Sequence, residues 1–378
     1  MWMERRIDIR QLVMVAALFL IAQFAGLLLV YTSVPPNAIP GLVAQAAQPQ
    51  TSASIATYII TIAVEIVIIA AVVMFFVRSY KRRNFFTLME AYIVLLGSFF
   101  FFFILVGDVL PWAGAAIPAA LSALFAVAVY LAKRSRRMNT SAFRNVVTII
   151  TSIGVGTFIG ESMGIQFGVI VLYATLALFA VYDFLAVFVI KFMIPLAKQA
   201  VSMNLAFMIG SSEMELRPQA KGKPRSYTAK ELRMIKDPGL RRLIKQGNAP
   251  TVSNIMLGNG DIMLPLLVAS GAYVSTASLS LAITIVIGAA AGLLMNFWII
   301  RKYMLGLPAI PLIFAFVSVS LALFYSLLGA FFLVYIYAGG AVLSIIAMYF
   351  GVAKALHGAA DERRGATGSR TMRGARER

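Results

Sequence analysis

Apolar runs long enough to cross a bilayer recur along the whole chain and leave it few ways to fold. They lie at roughly 11–31, 56–77, 85–107, 109–132, 145–165, 167–195, 253–275, 278–300, 304–326 and 329–353, ten in all. A helix needs about 20 mostly apolar residues to span the hydrocarbon. A segment crossing alone must be helical, because its backbone N–H and C=O groups find no water there. The sequence therefore predicts an all-α fold, a polytopic transmembrane helical bundle of nine to ten spans. Composition agrees: 61% of the 378 residues are hydrophobic and only 13% charged, with a mean hydropathy of +0.87. The first run, after MWMERRIDIR, is too long for a typical signal-peptide core and shows no small-residue cleavage site.

The net charge of +18 invites a nucleic-acid reading, but its distribution points to topology instead. Arg5, Arg6 and Arg10 precede the first run, and Arg78, Lys81, Arg82 and Arg83 follow the second. Lys133, Arg134, Arg136, Arg137 and Arg144 follow the fourth, and Lys191 and Lys198 mark the end of the sixth. Ten more Lys or Arg lie between 217 and 245, Arg301 and Lys302 follow the eighth run, and seven lie from Lys354 onward. The alternate connections, at 32–55, 107–109, 161–167, 275–278 and 326–329, have none. The positive-inside rule then puts both termini and the 199–252 loop in the cytoplasm. Attraction to anionic lipid headgroups accounts for the excess charge, so lipids and no nucleic acid are the expected partners. A nine-span version would export the basic tail.

Four parts follow from this division. Residues 1–198 form an N-terminal six-span part, and 199–252 form a basic hydrophilic loop. Residues 253–356 form a C-terminal part of three to four spans, and 357–378 a basic tail, rich in Arg, Gly and Ser, expected to be disordered. Cysteine is absent and His357 is the single histidine. Disulfides, thiolate metal sites, cysteine nucleophiles and histidine-based catalysis are thereby excluded, and no metal or cofactor is expected.

Six acids lie in or near the runs, and an ionisable group in hydrocarbon costs several kcal/mol, making it a functional candidate. Asp108, Glu161 and Glu90 lie near span ends, where water is expected to reach them. Glu65 sits mid-span in ITIAVEIVIIA with no nearby sequence partner, a place for a neutral acid, one hydrogen-bonded to another helix, or one in a polar cavity. Asp183 and Asp261 form a matched pair. Asp183 is eight residues before Lys191, about 12 Å in helical rise from that inner marker. If span seven starts near 250–253 and is helical, Asp261 lies about 12–16 Å deep from the same side. Antiparallel neighbours could bring the two together.

Two carboxylates a few ångströms apart do not both ionise easily and titrate as a unit. One can take a proton from water attacking a peptide carbonyl while the other donates to the developing oxyanion. Gly258 and Gly260, flanking Asn259, weaken helix just before Asp261 and permit close backbone approach, or else serve small-residue helix packing. Pro308 and Pro311 suit a helix start. The rival function is a secondary transporter or cation channel, with Glu65, Asp183 and Asp261 as a relay path.

Three motifs together resemble the presenilin and signal-peptide-peptidase family of intramembrane aspartyl proteases. Ala180-Val181-Tyr182-Asp183-Phe184-Leu185 in span six is similar to the family's Tyr-Asp motif. Gly258-Asn259-Gly260-Asp261, opening span seven after the long loop, is similar to its Gly-x-Gly-Asp motif. Leu307-Pro308-Ala309-Ile310-Pro311 resembles its Pro-Ala-Leu motif, with Ile310 in place of Leu. The resemblance implies a presenilin-like fold and an aspartic endopeptidase that cleaves peptide bonds within transmembrane segments of other proteins. It implies Asp183 and Asp261 as the catalytic pair, with Tyr182, Gly258, Gly260, Pro308, Ala309 and Ile310 shaping the site or holding substrate. A tenth span exceeds the family's usual nine. The orientation matches presenilins rather than the inverted signal-peptide peptidases, and the absence of cysteine with short connections suggests a microbial, archaeal-type homologue in a cell membrane. Substrates would be transmembrane helical proteins or peptides.

Overall fold

A computed structural model of the protein describes residues 9–41, 57, 60–61, 64, 82–110, 114–134, 141–190, 208–218, 248–303 and 307–376. Glu65, with most of the 56–77 run, lies outside the described residues, as does the 199–252 loop apart from 208–218 and 248–252. The helices are α1 (Ile9–Ser33), α2 (Arg82–Val109), α3 (Ala116–Arg134), α4 (Ser141–Phe184), α5 (Asn259–Thr276), α6 (Leu279–Tyr303), α7 (Ile310–Leu327) and α8 (Phe331–Arg376). Two strands, β1 (Met208–Pro218) and β2 (Asn248–Gly258), pair antiparallel between α4 and α5.

α4 is two helical arms joined at Gly168, whose φ of 75° and ψ of −177° are non-helical. Glycine takes this conformation readily because it has no Cβ. The contacts on either side show that the chain reverses here. Before Gly168, Ser152 meets Asn259, Gly156 abuts Met263 and Leu266, and Gly164 abuts Gly271, so this arm runs parallel to α5. After it, Leu172 packs on Gly271 while Asp183 lies near Asp261, so the second arm runs antiparallel. The division expected near residue 166 is therefore present.

Close approach in the first arm follows from Gly156, Gly160 and Gly164, one helical turn apart on one face. A Cβ on Gly160 would overlap Leu267 and Ser270, and one on Gly164 would overlap Gly271. Small residues that let backbones touch are the usual basis of helix association in lipid. α1 also runs parallel to α5: Gln23 Nε2 donates to the Ile262 carbonyl at 2.7 Å, Gly26 faces Leu266, and Tyr273 Oη donates to the Val34 carbonyl at 3.0 Å. α7 packs antiparallel on α6 through Gly288 and Gly292, and α8 antiparallel on α7, where Ser344 Oγ donates to the Pro311 carbonyl at 2.7 Å. α1, α2, the first arm of α4 and α5 thus start on one face, in agreement with the alternation of basic residues.

Among the described residues, six helices are long and apolar enough to cross a membrane, against the expected nine to ten spans. The two arms of α4 count as one there, the apolar part of α3 is shorter (Ala116–Ala132), and α5 opens on polar Asn259 and Asp261. Large apolar side chains such as Leu327, Phe332, Tyr335 and Leu343 face outward, as a lipid-facing surface requires.

Three expectations change. Span seven begins at Asn259, since 248–258 is strand; Pro250 and the β-branched Thr251, Val252 and Ile255 favour extended backbone. The all-α bundle accordingly carries a two-stranded sheet, and the helical approach assumed for the depth of Asp261 does not occur. Glu90, expected in contact with water, is buried. It shares a helix face with Val94 and Gly97, which pack on Val147 and Thr151 of α4. The backbone of 357–376, expected to be irregular, continues α8, where Ala359, Ala360, Glu362, Arg363 and Arg364 are good helix formers.

Candidate active site

Asp183 occupies the end of the second arm of α4, just before a π-helical turn at Leu185–Val189. Such turns are frequent at functional sites. Its carboxylate is buried, and Oδ2 accepts the Ile310 backbone N–H at 3.2 Å, with the Ala309 N–H beside it. Those N–H groups are available because Ile310 opens α7, and the first N–H groups of a helix have no intrahelical acceptor. The Leu307–Pro311 segment therefore contributes backbone donors as well as shape. Pro308, Ala309 and Ile310 are buried, and Tyr182 is half-buried next to Asp183.

Asp261 is the third residue of α5. Its Oδ2 accepts the Gly258 N–H at 3.1 Å, so the carboxylate caps its own helix. Asp261 is partly exposed, facing a cavity of about 90 Å³ that Leu257, Asn296, Phe297, Leu307 and Ala309 also line. One water needs only about 10–15 Å³ of such space. The two carboxylates lie within Coulombic reach of each other, so the structure brings Asp183, Asp261 and the Pro308–Ile310 segment together.

Among the described residues, no backbone of the protein itself closely approaches the side-chain position of either glycine. Gly258 has φ −70° and ψ 154°, which any residue can adopt, and a Cβ there would rest 3.4 Å from Asp261 Oδ2. A Cβ on Gly260 would meet nothing within 4 Å. Both leave space beside Asp261 that the protein itself does not fill. Just before them, Leu257 pairs with Ile209 across the sheet, and both are buried in the main core.

The other acids are elsewhere. Glu161 lines a separate cavity of about 210 Å³ with Ser33, Phe158 and Ser162, and Glu90 is buried on α2, outside that cavity's lining and the Asp261 cavity's. Of Asp108 only the backbone, within α2, is described. Among the described residues no group of three His, Cys, Asp or Glu side chains could hold a metal ion.

Two polar residues at the site escaped the sequence reading. Ser152 Oγ bonds Asn259 Oδ1, tying the start of α5 to α4. It extends the Gly156–Gly160–Gly164 stripe by one turn, and that spacing is the signal that could have found it. Asn296 lines the cavity from α6 as a lone amide in an apolar run, a pattern with no motif attached.

A family model described as signal-peptide peptidase, presenilin aspartyl protease matches residues 16–318. That stretch includes both aspartates and the Pro308–Ile310 segment, and ends within α7. No curated protein matches the chain.

Proposed function

The chain belongs to the signal-peptide peptidase and presenilin aspartyl protease family, and from that premise we propose that Asp183 and Asp261 are the catalytic dyad with which it hydrolyses peptide bonds inside transmembrane segments. One observation carries this reading: on separate helices and within Coulombic reach of each other, Asp261 faces a cavity large enough for water and Asp183 takes the backbone N–H groups of Ile310 and Ala309, a residue that lines that same cavity. The family places the protein among multi-pass membrane proteases. The dyad, the substrate path and the sidedness are our own reading.

The pair holds one proton between its two carboxyl groups. A water in the cavity gives a proton to the ionised carboxylate as its oxygen attacks the substrate carbonyl carbon. The protonated partner donates to the carbonyl oxygen, and a tetrahedral gem-diol forms. The C–N bond then breaks: the leaving nitrogen takes the proton from one carboxyl group, a gem-diol hydroxyl gives its proton to the other carboxylate as the product carboxyl forms, and the pair again holds one proton. Neither metal nor nucleophilic side chain enters these steps.

A substrate helix must unwind before attack, since its peptide groups are bonded internally. The unwound stretch lies in the open space beside Gly258 and Gly260 and against Pro308–Ile310. It can extend the sheet at β2 by backbone pairing. With the basic connections inside, the N-terminus and the 199–252 loop are cytoplasmic, and water reaches the cavity from that side of the cell membrane of a microbe. Nothing in the structure or the comparisons supports the transport reading.

The test uses purified protein in bilayers with a transmembrane reporter substrate and an aspartyl-protease transition-state analogue. Cleavage is expected from the wild type, blocked by the analogue and absent in Asp183→Ala and Asp261→Ala proteins that remain folded. Cleavage retained by either variant overturns the assignment.

A further inference from the structure

Asn296 is an amide without a visible task. It lies on α6 and is 2% exposed, and its Oδ1 has no hydrogen-bond partner among the described residues. A buried amide oxygen without a partner has given up its hydrogen bonds to water with nothing in return. Among the described residues, Gln23 Oε1 and Arg144 Nε are also buried atoms without a hydrogen bond of their own. Each side chain is anchored by its other end, Gln23 to the Ile262 carbonyl and Arg144 to the Gly210 carbonyl. Asn296 has no such anchor among the described residues. It borders the same cavity as Asp261 and Ala309.

The same molecule shows what an asparagine amide does with extended backbone. Asn145 Oδ1 accepts the Gly210 N–H at 2.9 Å, and its Nδ2 donates to the Gly210 carbonyl at 3.1 Å. Both polar groups of one β1 residue are thus satisfied by one side chain. A primary amide is complementary to a peptide group in this way whatever side chain the peptide residue bears.

We propose that Asn296 is a substrate-binding residue that grips the backbone of the unwound substrate beside the dyad, accepting the N–H and donating to the C=O of a residue flanking the scissile bond. The ligand is a peptide group in extended conformation, and sequence-independent recognition follows from that chemistry. This rests on the protease reading above. It gives the orphan amide a partner that arrives only with substrate, and offers the unwinding segment a replacement for helical hydrogen bonds.

The experiment measures cleavage of a synthetic transmembrane peptide by wild type, Asn296→Ala and Asn296→Leu. It is repeated with peptides carrying single amide-to-ester replacements around the cleaved bond. Removing a residue that grips substrate equally before and during reaction should raise KM, by about tenfold, with kcat held within about twofold. One ester position should weaken the wild type by a similar factor and cost the variants nothing further. Thermal unfolding and binding of the transition-state analogue confirm that the variants are folded. Unchanged KM in folded variants, or equal ester sensitivity in wild type and variants, overturns the proposal. A fall in thermal stability with unchanged KM assigns Asn296 a structural role and also overturns it. If cleavage survives in Asp183→Ala, the protease reading itself fails, and this proposal with it. A strictly Asp-dependent wild type with indifferent Asn296 variants sinks the grip alone.

Discussion

Asp183 and Asp261 reach one place by opposite means. Asp261 is held locally: it caps its own helix through Gly258, three residues away, and looks into the cavity. Asp183 is held by tertiary packing. Its acceptor bond comes from Ile310, 127 residues along the chain. The helix turn after it is clamped by α7 and α8, where Phe188, Leu312 and Met348 form one buried cluster and Gly351 sits against Phe184 and Phe188. Two identical groups therefore have unequal surroundings, which is how a carboxyl pair comes to take unequal parts in one reaction. Damage to distant packing should consequently displace Asp183 before it displaces Asp261.

The largest effect is expected where the two should behave alike. In Asp183→Asn and Asp261→Asn the amide oxygen still accepts the Ile310 or Gly258 N–H, so both variants should fold and keep their unfolding temperatures. Each should lose cleavage by about 10³-fold or more, because neither can exchange a proton with water. Single-turnover rates on the reporter substrate check this. A variant retaining a tenth of the activity would remove its residue from the dyad.

What was readable in the sequence follows the same divide. The helical runs, the division near residue 166 and the weakening of helix at Gly258 and Gly260 are local, and hydropathy and glycine patterns expose local structure; the cap that Asp261 makes on Gly258 needed the structure. The start of span seven was misplaced because Ile255-Met256-Leu257 is apolar enough to pass for helix, and its pairing with β1 is a long-range fact. Glu90 was misjudged because depth was considered without helix face. The bond from Ile310 N–H to Asp183 had no signature at all, since every residue but proline has a backbone N–H; Pro311 signals only that a helix starts nearby. Asn296 and Ser152 needed the packed structure.

Packing on the Asp183 side supplies the second test. Met348→Ala empties part of the Phe188–Leu312 cluster and should cost about 2–5 kcal/mol of stability. Cleavage should fall further than Tm alone accounts for at a temperature where the variant is folded. The comparison breaks if activity simply follows the folded fraction. Gly168→Ala probes the reversal between the two arms. Its φ of 75° with an extended ψ is close to glycine-only territory, so alanine should cost about 1–3 kcal/mol. No neighbour would obstruct the added methyl, and a loss larger than this in a melting experiment would show that more than backbone strain is involved.

The smallest effects discriminate best, because two single hydroxyls support the two sides. Ser152 ties Asn259, and hence the start of α5, to α4; Ser344 ties the Pro311 carbonyl, and hence the start of α7, to α8. Removing either hydroxyl should cost about 1 kcal/mol, the ordinary net worth of such a bond. Their consequences for catalysis should differ. Without Ser152, Asp261 keeps its Gly258 cap and its place in the first turn of α5, so kcat should stay within about twofold. Without Ser344, α7 is freer to shift against α8, and the Ile310 N–H that holds Asp183 moves with it. Ser344→Ala should therefore lower kcat by about five- to tenfold at nearly constant KM, the signature of a lost interaction with the reacting groups rather than with substrate. Parallel kcat measurements on the two variants at matched stability decide the matter. An equal fall in both, or a larger one in Ser152→Ala, would mean that Asp261 is no more self-sufficient than Asp183.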